Sequence, residues 1–287
     1  MNERLETPPP ALRLPDGTEP TTVALAGDWH ANTPYAVASI AHALSGGAEA
    51  IVHLGDFGFR FESDFLAAVD RALGDVPLFF IDGNHESFPW LASHPIDDRG
   101  VRPISRSVTH LPRGVRWSWR GRTWLALGGA HSVDRRARER GEAWWPEEAI
   151  TVDDVERAVA AGPVDVLVCH DVPAGVPVPH VYPEGTFPAD DEAAGEAHRD
   201  LVRAVVDGTW PRFIAHGHFH RHYRSTLGAA RVLGLAHDRH EPNENVAFLD
   251  TATLALVPPS ADPPPIENRL ALPHASAAKV RSIANTD

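Results

Sequence analysis

A chain of 287 residues with 43% hydrophobic and 23% charged residues has the composition of an ordinary globular protein and length enough for one large α/β domain. Its formal net charge of -13 opposes a broad nucleic-acid-binding surface and favours cations as partners. No run of about 18 apolar residues is present to cross a membrane, and Met1-Asn2-Glu3-Arg4 leads into Pro8-Pro9-Pro10 without the apolar stretch of a signal peptide. The single cysteine, Cys169, excludes an intramolecular disulfide framework and fits a reducing compartment, so a cytoplasmic location is expected.

Residues 1–20 are proline-rich and aperiodic, the texture of a flexible or extended arm. The apolar run Val23-Ala24-Leu25-Ala26 predicts a buried strand, ended by Gly27-Asp28-Trp29-His30. A helix over Pro34 to Leu44 closes at Gly46-Gly47. Ile51 to Leu54 predicts a second strand, ended by Gly55-Asp56, and a helix follows from Ser63, its expected N-cap, to Leu73 before Gly74. The third strand, Leu78 to Ile81, runs into Gly83-Asn84-His85-Glu86. Val115 to Leu127 has the pattern of a β-hairpin turning at Arg120-Gly121.

Thr151 or Asp153 caps a helix running to Ala161. Val164 to Val168 predicts a strand that ends in Cys169-His170-Asp171, and a helix spans about Gly195 to Val206. Phe213 to Ala215 leads into Gly217-His218-Phe219-His220, with further strands over 231–235 and 246–256. The alternation of strands and helices implies a parallel-rich sheet within one domain over 21–257, followed by a proline-rich tail over 258–287.

Five polar clusters, each closing a predicted strand, therefore recur along the chain. Ligands of open α/β sheets collect beyond the carboxyl ends of the strands, so these clusters converge on one place without being close in sequence. The glycine that opens four of the five clusters, ahead of Asp28, Asp56, Asn84 and His218, suits a tight turn where backbone passes close to a neighbour. Cys169 itself is expected to be a small core hydrophobe.

In order, the clusters resemble the blocks GDxH, GDxx, GNH[DE], a lone His after a strand, and GHxH of the calcineurin-like metallophosphoesterase superfamily. All five are present over residues 27–220. The resemblance implies a four-layer αββα sandwich of two mixed sheets flanked by helices. It also implies two divalent cations, Mn²⁺ foremost with Fe or Zn²⁺ as alternatives, since mixed carboxylate, amide and imidazole donors suit those metals. Carried over block by block, it assigns Asp28, His30, Asp56 and His220 to one ion, and Asp56, Asn84, His170 and His218 to the other, with Asp56 bridging. The x in Asp28-x-His30 and His218-x-His220 is expected to put both side chains on one face through strand-like geometry.

In this family frame a hydroxide between two cations attacks phosphorus, and His85 protonates the leaving group, or else supports the site structurally. Arg60 stands where the protein phosphatases continue their second block with Asp-Arg-Gly. The Asp is lost here to Phe59, and Arg60 either binds phosphate or is a surface residue. The stretch from Gly128 to Arg136 brings His131 or Arg135 to substrate, or is a solvated loop. Asp171 either orients His170 or begins a loop; Glu86 closes a turn or caps a helix; Trp29 and Phe57 pack. The loop over 171–191 has the length of a lid, with His180 or Tyr182 as contacts. The implied activity is hydrolysis of a small phosphomonoester or phosphodiester, such as a nucleotide; the alternatives are a nuclease of the same fold and a non-catalytic binding scaffold.

Overall fold

The computed structural model describes residues 12–179 and 181–260. In chain order its first half holds β1 (Thr22–Ala26), α1 (Thr33–Ser45), β2 (Ala50–His53), α2 (Ser63–Leu73), β3 (Leu78–Phe80), α3 (Phe88–Ser93), β4 (Arg102–Pro103) and β5 (Val108–His110). The second half holds β6 (Arg116–Trp119), β7 (Arg122–Leu127), α4 (Val152–Val159), β8 (Val166–Cys169), α5 (Ala189–Thr209), β9 (Phe213–His216), β10 (Tyr223–Leu227) and β11 (Ala230–Gly234). The short α6 (Pro242–Asn245), β12 (Val246–Asp250) and β13 (Leu256–Val257) close the fold.

Each half builds one sheet, and the last two strands return to the first. Sheet one is ordered β13-β12-β1-β2-β3-β5-β4 and sheet two β10-β11-β9-β8-β7-β6. The central pairs β1/β2, β2/β3 and β3/β5 of sheet one, and β7/β8, β8/β9 and β9/β11 of sheet two, are parallel, with antiparallel strands at the margins. Helical crossovers cover the outer faces, as parallel strands require.

Strict alternation then sorts the side chains into layers. From β1, Val23 and Leu25 face sheet two while Ala24 and Ala26 face the helices; from β7, Trp124 and Ala126 point inward while Leu125 and Leu127 point outward. One core lies between the sheets, a second between sheet one and α1 and α2, and a third between sheet two and α4 and α5. The result is the expected four-layer αββα sandwich.

Local sequence explains several element ends. Asn32 caps α1 by accepting from the Tyr35 N–H at 3.3 Å, and Thr151, rather than Asp153, caps α4 in a reciprocal capping box with Asp154. The hairpin turns through Arg120 and Gly121 at φ 50° and 73°, the pair of positive angles that matches strand twist.

Four expectations change. Glu62, not Ser63, is the N-cap of α2, and its side chain makes no capping bond. Helix α5 begins at Ala189 instead of about Gly195, because Asp190, Asp191 and Glu192 favour the positive end of a helix; the loop after His170 is correspondingly shorter. Part of the arm expected over 1–20 packs into the fold: Leu12 is buried in the inter-sheet core and its carbonyl accepts from Trp119 Nε1 at 2.6 Å; residues 1–11, and the tail over 261–287, lie outside the described residues. The elements α3, β4, β5 and β10 had no sequence signal, being too short or, in β10, too exposed for a period to register. Among the described residues no helix is long and apolar enough to cross a membrane.

Trp117, Trp119 and Trp124 are fully buried between the sheets, with Trp124 stacked on Trp117 at 5.5 Å and edge-on to Trp119 at 5.2 Å. Trp124→Ala is expected to cost about 3–5 kcal/mol by leaving a cavity that the two rigid sheets cannot close; the urea midpoint measures it.

Candidate metal centre

The expected clusters meet where the sheets adjoin. Asp28, Asp56 and Asn84 follow β1, β2 and β3 of sheet one, while His170 and the pair His218 and His220 follow β8 and β9 of sheet two. The chain turns sharply at these points. Four of the seven expected ligands, His30, Asp56, His218 and His220, have positive φ of 48°, 54°, 62° and 56°. Non-glycine residues avoid this region, and such strain gathers at functional sites. Strand-like alternation is therefore not what aims Asp28 and His30, or His218 and His220; left-handed turns do so, because the strands have already ended.

Two glycines are dictated by the carboxylates themselves. A methyl group at Gly83 would overlap Asp56 Oδ1 and the Asp56 backbone nitrogen, and one at Gly217 would overlap Asp28 Oδ1.

The donor atoms of Asp28, His30, Asp56 and His220 all lie within 4.8 Å of one another. His220 Nε2 is 3.1 Å from Asp28 Oδ2, and His30 Nε2 is 3.4 Å from Asp56 Oδ2. On its other side Asp56 presents Oδ1 to His170 Nε2 at 3.5 Å, and the same nitrogen is 3.0 Å from Asn84 Oδ1. The His218 ring stands 5.2 Å from that of His170, and its backbone N–H donates to Asp28 Oδ2 at 3.0 Å. Asp56 thus turns one oxygen to each group of donors.

Electrostatics mark this as a place for cations. Burial would raise the Asp28 carboxyl, but the His220 hydrogen bond and the His170 charge carry it below its usual value. Against the same burial penalty, the charges of His170 and His85 hold Asp56 well below the usual range. Burial pulls His30 and His170 down, yet hydrogen bonds to Asp238 and Asp56 push His30 up to about 11, and the Asp56 charge and hydrogen bond push His170 up to about 10. Burial wins at His218, which falls to about 4. Protons on the Nε2 atoms of His30 and His170 sit where a cation would compete for the same lone pairs. Carboxylate, amide and imidazole donors fit divalent Mn, Fe or Zn. Cys169 adds nothing, as its buried thiol is held in the outer core of sheet two and pushed up by burial.

Further contacts fix the orientation of these donors. His170 Nδ1 donates to the Leu54 carbonyl at 2.7 Å, leaving Nε2 for the site. His30 Nδ1 is 3.2 Å from Asp238 Oδ1, and Asn32 Nδ2 donates to Asp238 Oδ2 at 2.7 Å. Asn84 Nδ2 donates to Ser132 Oγ at 2.9 Å, and Ser132 donates from Oγ and N to Glu148 at 2.6 and 2.8 Å, which turns the Asn84 carbonyl oxygen inward. Glu86 closes the turn, accepting from Phe57 N and Gly83 N, both at 2.6 Å, and burial pushes its carboxyl up to about 8. Trp29 and Phe57 are buried packing residues, as expected. Asp238 and Glu148 were not singled out from sequence: Asp238 belongs to no block, and Glu148 lies far along the chain from Asn84.

His85 donates its backbone N–H to Asp56 Oδ1 at 2.8 Å, and its ring lies edge-on to His30 at 5.4 Å. Burial lowers its pKa, and the nearby Arg138 charge adds to that against the pull of Asp56. Arg60 is exposed, its guanidinium 5.5 Å from the Phe59 ring centre. Arg135 Nε pairs with Asp191 Oδ1 at 2.5 Å, and His131 Nε2 is 3.7 Å from the same oxygen, so both turn toward the start of α5. Asp171 does not touch His170 through its side chain; it accepts from His198 Nδ1 at 2.7 Å, while the Ile150 N–H donates to His198 Nε2 and so places the proton on Nδ1. Tyr182 is exposed against Phe187, and His180 lies outside the described residues.

A family model described as calcineurin-like phosphoesterase matches residues 21–222. The solved structure of TT1561 from Thermus thermophilus superposes with a TM-score of 0.52 at 16% identity, over 83% of this chain and 98% of that one, a likeness of fold. A phosphopantetheinyl hydrolase from Mycobacterium tuberculosis matches with a TM-score of 0.44 at 16% identity, over 80% of this chain and 95% of that one. An archaeal phosphodiesterase gives 0.42 at 11% identity, over 83% and 98%. No curated protein matches the sequence significantly.

Two outcomes are expected from these contacts. Gly83→Ala should displace Asp56 and lower bound metal several-fold, as read by elemental analysis of the purified protein after loading. Asp171 is held at about 2, where burial is outweighed first by the His198 hydrogen bond. A carboxyl depressed on folding stabilises above its unfolded value near 3.9 and loses that contribution as pH falls. Asp171→Asn should therefore cost on the order of 2 kcal/mol at pH 7, a difference that shrinks between about pH 4 and pH 2 in denaturant titrations.

Proposed function

Because the chain belongs to the calcineurin-like phosphoesterase family, we propose that it is a metal-dependent hydrolase of a small phosphomonoester or phosphodiester, such as a nucleotide, with two divalent cations and Mn²⁺ foremost. The observation that carries this reading is the buried Asp56 carboxylate, with one oxygen toward His30 and the other toward His170. Asp28, His30, Asp56 and His220 would hold one ion, and Asp56, Asn84, His170 and His218 the other. Bound there, divalent cations neutralise phosphoryl charge and acidify water. A cytoplasmic setting agrees with the lone, buried cysteine.

The chain's own residues supply the remaining parts. Asp238 and Leu54 keep protons on the Nδ1 atoms of His30 and His170, so that both Nε2 atoms face the cluster. Arg138 Nη1, which can only donate, faces His85 Nδ1 at 3.4 Å, an arrangement that leaves the His85 proton on Nε2. From there it can be given to a leaving alkoxide.

After EDTA treatment and re-addition of Mn²⁺, the protein should hydrolyse p-nitrophenyl phosphate or bis-p-nitrophenyl phosphate, and Asp56→Ala should not. Silence toward both esters with two ions bound would count against the reading in favour of a binding scaffold. His85→Gln should lower kcat by about 10²- to 10⁴-fold with metal content unchanged; loss of metal would make His85 structural instead.

A further inference from the structure

Resting on the phosphoesterase reading, we propose that Arg138 is the guanidinium that receives a non-bridging phosphoryl oxygen of the substrate beside His85. Three observations carry this. The first is position: the stretch that leaves β7 is bolted to the cluster through Ser132, which bridges Asn84 and Glu148, and after the single turn Arg135–Ala137 it delivers Arg138 next to His85. Nη1 lies 3.4 Å from His85 Nδ1, and the His85 ring is 5.4 Å from that of His30, so one imidazole separates the guanidinium from the candidate metal ligands.

The second is orientation. Arg138 Nε donates to Asp134 Oδ1 at 3.0 Å and Nη2 pairs with the same oxygen, which clamps one edge of the fork and turns Nη1 toward the site. One N–H of Nη1 is directed at His85; the other has no partner among the described residues. The side chain is only 11% exposed although it comes from a loop, so its charge is poorly screened. A clamped, partly desolvated fork with a spare donor is suited to a phosphoryl oxygen.

The third is the engagement of the other candidates. Arg135 and Arg136 pair with Asp191, Arg113 with Asp82 and the carbonyls of the 147–149 turn, and Arg60 is exposed over Phe59. Asp134 is half exposed, and its pairing with Arg138 holds the fork without consuming Nη1.

The test is binding of inorganic phosphate to the Mn²⁺-loaded full chain by calorimetry, with metal content measured on every sample. Arg138→Gln should weaken phosphate binding by about 10- to 100-fold at unchanged metal content, and Arg138→Lys should recover only part of the loss because an ammonium restores charge without the fork. Equal affinity in Arg138→Gln and wild type, or a loss seen with Arg60→Gln in place of Arg138→Gln, would overturn the assignment and leave the phosphoesterase reading standing. Loss of metal from Arg138→Gln would overturn it by making Arg138 a support of the cluster. A fully metal-loaded wild type that neither binds phosphate nor turns over either ester would remove the phosphoesterase reading, and the assignment with it.

Discussion

The buried carboxylate of Asp56 is the constraint around which this protein is organised. A lone carboxylate so deeply buried is costly, and here its charge is balanced on both sides, by His30 from the first sheet and His170 from the second. Its backbone is held at φ 54°, its Oδ1 also accepts the His85 N–H, and Gly83 leaves room for it where any side chain would intrude. Glu86 then ties the two loops together through Phe57 and Gly83.

Because the donors come from two separate sheets, the site is also a seam of the fold. Its geometry depends on how the sheets pack, which the tryptophan cluster and the alternating aliphatic residues between them decide. A cation bound at such a seam would stabilise the packed state over the unfolded chain, since the donors are assembled only by folding.

Around this centre the negative net charge of the chain is not spread evenly in effect. Asp190 and Asp191 at the start of α5 take up Arg135 and Arg136, while Asp82 takes up Arg113. Arg135, a substrate candidate on sequence grounds, is thereby spent on structure, and the guanidinium that faces His85 comes from two residues beyond the stretch that the pattern picks out.

What the sequence by itself determined is the set of chemical groups and the strand ends that carry them. The five blocks were legible because each couples a short apolar run to a donor, with a glycine between them in all but Cys169-His170-Asp171, a pattern written locally by burial and turn chemistry. The αββα layering followed from the alternation of strands and helices together with the family resemblance. Only the tertiary structure decided how the donors are aimed, through left-handed turns at His30, Asp56, His218 and His220. It alone revealed the partners that orient them, since Asp238 reaches His30 across 208 residues and Ser132 reaches Asn84 across 48. It also separated Arg60, His131 and Arg135 from Arg138. The physical reason is the range of the interactions: hydrophobic period, capping and turn preference act over a few neighbouring residues, whereas the hydrogen bonds and ion pairs that orient a site form between segments that meet only after the sheets have packed.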